Sequence, residues 1–147
     1  MSPQKRQKPN DPAIILVIDD MALMNESLVE GLSRQGYPAI GALNAREAQR
    51  IVATTPSLRV LLCDICLGDE NGPDLIRQIL RTRKDLMVIF MSGGFENVRF
   101  RSTDPFLKKP FDLKTLARTI ENVLLSKPDS TLNQTPLVGD RRRTGTD

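Results

Sequence analysis

Apolar residues along this chain fall into two alternating patterns. Three unbroken runs stand out: Ile14-Ile15-Leu16-Val17-Ile18, Val60-Leu61-Leu62-Cys63 and Leu86-Met87-Val88-Ile89-Phe90-Met91. Such runs predict strands buried on both faces, as in a parallel sheet. A weaker run over 38–42 opens with Pro38, which predicts an edge position, and a short strand is predicted at Phe106-Leu107-Lys108. Between the runs, apolar positions recur every three or four residues. Leu23, Met24, Leu28 and Leu32 predict a helix over 22–35, stopped by Gly36. Ala48, Ile51 and Val52 predict a second over 45–54, opened by a capping box of Asn44 and Glu47 and ended by Pro56. Leu75, Ile76, Ile79 and Leu80 predict a third, with Pro73 in its first turn. Leu113, Leu116, Ile120, Val123 and Leu124 predict a last helix to residue 126, capped by Asp112. Strand and helix alternate, so the predicted fold is an α/β sandwich around a mostly parallel sheet with right-handed crossovers.

Residues 1–12 and 127–147 lack periodicity and hold Pro, Lys, Ser, Thr and an Arg triplet. They are expected to be a disordered arm and tail around one domain over 13–126. The formal net charge of +3 divides into +2 on the arm and +1 on the tail, leaving the body near neutral. DNA binding by the folded body is therefore not expected. No apolar run approaches the roughly 20 residues of a membrane helix. The start lacks the apolar stretch of a secretory signal, so a cytoplasmic location is expected.

The chain contains no histidine, which excludes Ser-His-Asp and Cys-His catalysis and any phosphohistidine within these residues. Its two cysteines, Cys63 and Cys66, form a C-x-x-C string. A zinc site would need two more Cys or His ligands. Thioredoxin-type motifs open a helix, whereas this string straddles a strand end, where positions three apart point to opposite faces. Cys63 is expected in the core and Cys66 in a loop beside the strand end.

The strand ends carry the candidate chemistry. Asp19 and Asp20 follow the first strand, Asp64 the third, Ser92 the fourth, and Lys108-Lys109-Pro110 the fifth. In open parallel sheets ligands bind beyond the C-terminal strand ends. Adjacent carboxylates repel unless a hard cation lies between them or one is protonated. Oxygen-only ligands favour Mg2+, and Lys109 and Ser92 supply an ammonium and a hydroxyl for further oxygens. This is equipment for phosphoryl transfer, in which a carboxylate can itself be the nucleophile. Each piece alone has a plainer reading: the paired acids as a helix cap, Ser92 as a turn residue, the lysines as solvated, Phe106 as core.

Taken together, Asp19-Asp20, the stretch Asp64-Ile65-Cys66-Leu67-Gly68-Asp69-Glu70-Asn71-Gly72, Ser92-Gly93 and Phe106-Leu107-Lys108-Lys109-Pro110-Phe111 resemble the receiver domain of bacterial two-component response regulators, of the single-domain type. The resemblance covers residues 14–125. It implies a flavodoxin-like fold with a five-stranded parallel sheet in the order 2-1-3-4-5 and five helices. It implies that Asp64 takes a phosphoryl group from a histidine kinase or histidine phosphotransfer protein. The domain would catalyse its own phosphotransfer and dephosphorylation without being a conventional enzyme. Mg2+ would be held by Asp20, Asp64 and the backbone carbonyl of Cys66, with Asp19 holding a metal-bound water. Lys109 would pair with the acyl phosphate beside a cis Lys109–Pro110 bond. Ser92 and Phe106 would form the switch that changes binding to an output partner, with a homodimer left open.

Two departures stand out. Ser92 and Lys109 are 17 positions apart, closer than is usual in the family, so the fourth helix is expected to be shortened or absent. Cys66 and Gly94, each two after a site residue, carry neither a charged nor an amide group. The shortened stretch motivates an alternative: a receiver-shaped scaffold that binds partners independently of phosphorylation. A haloacid-dehalogenase-type hydrolase would need D-x-D on the first strand, whereas Asp19 and Asp20 are adjacent.

Overall fold

The structure is a computed structural model that describes residues 13–93 and 105–126. The expected arm, tail and shortened fourth helix lie outside the described residues, as does Gly94. The elements are β1 (Ile15–Ile18), α1 (Ala22–Arg34), β2 (Ala39–Ala42), α2 (Ala45–Thr54) and β3 (Val60–Asp64). There follow β4 (Cys66–Leu67), β5 (Glu70–Asn71), α3 (Gly72–Leu80), β6 (Met87–Ser92), β7 (Phe106–Lys108) and α4 (Leu113–Leu125).

The main sheet runs β2-β1-β3-β6-β7 with every pair parallel. Setting aside the small hairpin β4–β5, this is the expected 2-1-3-4-5 order. Strand β2 lies at an edge, as Pro38 predicts. Four helices fall among the described residues, against the five that the resemblance implies. No helix among them is long and apolar enough to cross a membrane.

Alternation along the strands splits the core into two layers. Leu16, Ile18, Leu61 and Cys63 pack with Ile51 and Val52 of α2 and Leu75 and Ile79 of α3. Ile15, Val17, Val60 and Leu62 pack on the other face with Leu28 and Leu32 of α1 and Leu116 and Ile120 of α4. Side chains on β1 and β3 are buried throughout because helices cover both faces. Caps sit where the sequence places them. Asn44 accepts from Glu47 N at 2.8 Å while Glu47 accepts from Leu43 N at 2.8 Å. Asp112 accepts from Thr115 N at 2.8 Å.

Two local features differ from the reading of the sequence. Asp64 and Ser92 are the last residues of β3 and β6 rather than the residues after them, because each pairs in the ladder, Asp64 with Met91 and Ser92 with Lys108. Cys66 lies in β4, where it pairs with Asn71 of β5, instead of in an open loop. Helix α3 starts at Gly72 with Pro73 in its first turn, as expected, and Asn71 accepts from Asp74 N. Its start lies against β3: a Cβ on Gly72 would come within 2.1 Å of the Asp64 carbonyl oxygen.

The cysteines of the C-x-x-C string lie on different strands, Cys63 in β3 and Cys66 in β4. Cys63 is buried, and burial with the nearby charges of Asp64 and Asp19 pushes its thiol far up from the ordinary range. Cys66 is exposed, and neither cysteine forms a disulfide. A thiol alkylator at neutral pH should therefore modify Cys66 in the native protein and reach Cys63 only after denaturation, as read by peptide mass spectrometry. Equal native labelling of both would contradict the buried β3.

Candidate functional site

The C-terminal ends of β1, β3, β6 and β7 meet at one edge of the sheet. Asp19, one residue beyond β1, is wholly buried, and Asp64, at the end of β3, is 6% exposed. Lys109, just beyond β7, donates from Nζ to Asp19 Oδ2 at 2.9 Å and to Asp64 Oδ2 at 2.6 Å. The second oxygens bind locally: Asp19 Oδ1 accepts from Met21 N at 2.9 Å, and Asp64 Oδ1 from Cys66 N at 3.0 Å. Lys109 N donates to Ser92 O at 2.7 Å, which fixes the start of the lysine against the end of β6. The Lys109–Pro110 bond is cis.

Of the two adjacent lysines, Lys108 points to solvent and Lys109 turns inward. Period-two alternation places Lys108 on the same outer face as Phe106, which is 39% exposed, with Leu107 buried between them. Ser92 is buried at the site edge. Asp19 and Asp20 part company. Asp20 is exposed, and its Oδ2 lies 3.5 Å from where a Cβ on Gly68 would stand.

Asp19 and Asp64 come together on Lys109, whereas Asp20 stands at the exposed rim. Among the described residues no three Asp, Glu, Cys or His groups form a ligand cage. Burial pushes the Asp64 carboxyl above its ordinary range. The Lys109 hydrogen bond, the Cys66 N–H and the lysine charge only partly offset that rise, and Asp19 adds to it. Burial alone would depress Lys109, yet its hydrogen bonds to Asp64 and Asp19 raise it.

A profile of the response regulator receiver domain matches residues 15–121. The chain belongs to the response regulator receiver family. It is 34% identical over 141 residues to the DNA-binding transcriptional regulator NtrC of Azospirillum brasilense, covering 86% of this chain and 29% of that protein. It is 30% identical over 118 residues to the sensor kinase CckA of Brucella abortus, covering 76% of this chain and 12% of that protein. The chain thus spans less than a third of either relative. Among solved structures, a response regulator receiver protein from Pseudomonas putida matches with a TM-score of 0.65 at 30% identity, covering 76% of this chain and 98% of that one.

Receiver domains generally bind Mg2+ at the phosphorylation site. The donor set here fits such an ion. Asp19, Asp20 and Asp64 against Lys109 leave two uncompensated negative charges, all on oxygen, and the site already holds one cation between Asp19 and Asp64. A groove between α2 and α3, lined by Gln49, Val52, Gln78 and Arg83, lies at the opposite end of the sheet.

The reading of the sequence missed two residues that position this site. Asn25 in α1 is buried and donates into the β1 and β2 ends. Its signal was present: 25, 28 and 32 share one helical stripe, so a polar residue there faces inward. Glu70 of β5 accepts from Ala45 N at 3.1 Å and so ties the β4–β5 hairpin to the start of α2. A glutamate in a loop of polar residues gave no such signal.

The raised Asp64 carboxyl fixes the sign of a pH effect. Its folded pKa exceeds the unfolded value of about 3.9, so ionising it opposes folding. That opposition is complete above the folded pKa and vanishes below the unfolded one. Asp64→Asn should therefore melt at a higher temperature than the native chain at pH 7, with the gap closing as the pH falls through the acid range. In parallel, carboxyl NMR should show Asp64 titrating higher in Lys109→Met and lower in Asp19→Asn.

Proposed function

We propose that this receiver domain is a phosphoacceptor in a two-component phosphorelay, with Asp64 as the residue phosphorylated. The observation that carries the proposal is the Lys109 ammonium, 2.6 Å from Asp64 and 2.9 Å from Asp19, at the strand ends of the sheet. The chain has no histidine, so the donor is the phosphohistidine of a kinase or histidine phosphotransfer protein in another molecule or outside these residues. The proposed setting is the cytoplasm.

An Asp64 oxygen attacks phosphorus, the P–N bond breaks, and its electron pair returns to the ring nitrogen. Asp64 is then an acyl phosphate. Lys109, which reaches both acids, exchanges a carboxylate contact for a phosphoryl oxygen and stays protonated throughout. Ser92, at the neighbouring strand end, hydrogen-bonds another oxygen, and its movement leaves room for the exposed Phe106 ring to turn inward. Asp20, Asp64 and the Cys66 carbonyl would hold Mg2+, with Asp19 on a bound water; when bound, the ion neutralises charge on the phosphoryl oxygens. Catalysis is then positioning and charge neutralisation. The output partner reads the altered Ser92–Phe106 surface.

Incubation with acetyl phosphate and Mg2+ should add one phosphoryl group, stable in acid and labile in base, by intact-protein mass spectrometry. Asp64→Asn or chelation should abolish the addition. No mass gain by the native chain, together with partner capture indifferent to Asp64→Asn, would favour the phosphorylation-independent scaffold that the close Ser92–Lys109 spacing suggests.

A further inference from the structure

Helix α1 begins directly after the two acids, yet nothing ordinary holds its start. Met21 at the N-cap offers no side-chain hydrogen bond, and the first turn has no acidic residue. The Asp19 carboxylate accepts from Met21 N, but that same carboxylate also takes Lys109. Asn25, one turn into the helix and 4% exposed, makes the other connection. Its Nδ2 lies 3.0 Å from Asp19 O, 2.9 Å from Ala42 O and 3.3 Å from Val17 O. An amide nitrogen has two hydrogens. The two shorter contacts take them, and Val17 O lies at the margin.

These acceptors are chosen by geometry. Asp19 O belongs to the peptide plane that links Asp19 to Asp20. Ala42 O ends β2 and also accepts from Asp19 N at 3.1 Å. One side chain thus ties the helix, the edge strand and the Asp19–Asp20 peptide together. The approach is possible because position 41 is glycine: a Cβ there would stand 1.9 Å from Asn25 Oδ1.

We infer that Asn25, seated against Gly41, is a positioning residue for the acidic site: it sets the Asp19–Asp20 peptide plane and so the direction of the Asp20 carboxylate. This rests on the phosphoacceptor reading for the use of Asp20, though not for the geometry. Asn25 touches neither phosphate nor metal and acts through backbone. Asn25→Leu keeps the shape and removes both donors. Gly41→Ala keeps the amide and displaces it.

The test uses the full chain with two readouts. Calorimetric titration with Mg2+ should show affinity weakened about tenfold in Asn25→Leu, the lower end for loss of an outer-shell partner. Amide hydrogen exchange without added metal should show the Asp19 N–H exchanging faster, with distant strands such as β6 unchanged. Gly41→Ala should reproduce both effects, and the double variant should be no worse than the worse single, because both break one contact. Native affinity and native exchange in either folded variant, or losses that multiply in the double, would overturn the inference. If one variant fails to fold, the other carries the test. A native chain that binds no Mg2+ would refute the phosphoacceptor reading instead, and exchange at Asp19 would still judge Asn25.

Discussion

Two carboxylates lie buried at one end of this sheet, and a single ammonium holds them there. Removing an ion from water costs several kcal/mol per ion after relaxation, and only close, hydrogen-bonded partners repay it. Asp19 and Asp64 meet that demand with one shared Lys109 and one backbone N–H each. The balance is incomplete, since burial still leaves Asp64 above its ordinary range. A site held short of neutrality is one that can accept further positive charge or redistribute what it has. The same charge deficit is what makes the site costly to fold.

Topology makes the contact possible. Asp19 follows β1, Asp64 ends β3, Ser92 ends β6 and Lys109 follows β7. The ammonium must therefore pass across the end of β6 to reach β3 and then β1, with neighbouring strands about 4.8 Å apart. On that path the Ser92 carbonyl anchors the lysine backbone. The same reasoning separates Lys108 from Lys109. In a strand that continues the alternation of Phe106 and Leu107, Lys108 must face outward, and only the residue after the strand is free to turn in.

Much of this was legible in the sequence because buried strands and helix caps leave local marks. The all-apolar runs that became β1 and β3, the edge position of β2, and the caps at Asn44 and Asp112 each depend on residues within a few positions of one another. Family motifs then pointed to Asp64, Ser92 and Lys109. What the sequence did not disclose depends on contacts made at a distance. Adjacency of Asp19 and Asp20 does not say which faces Lys109, 90 positions away. The β4–β5 pairing rests on two residue pairs, too short to imprint a period. Glu70 reads as a surface acid until its partner, the start of α2, is in place.

Asn25 exposes a conflict between helix and site. A helix start ordinarily takes its own polar cap, and a carboxylate is favoured there by the unpaired N–H groups. Asp19 fills that role for Met21 with one oxygen, but its other oxygen is bound to Lys109. Any shift of Asp19 toward a ligand would therefore loosen the first turn of α1 unless a second tie held it. Asn25 supplies that tie from inside the helix to the backbone carbonyls of Asp19 and Ala42. Helix anchorage is thereby shared between the site carboxylate and a buried amide. The acid can then respond to charge while the helix stays in place, at the expense of a buried polar side chain that only a glycine opposite can accommodate.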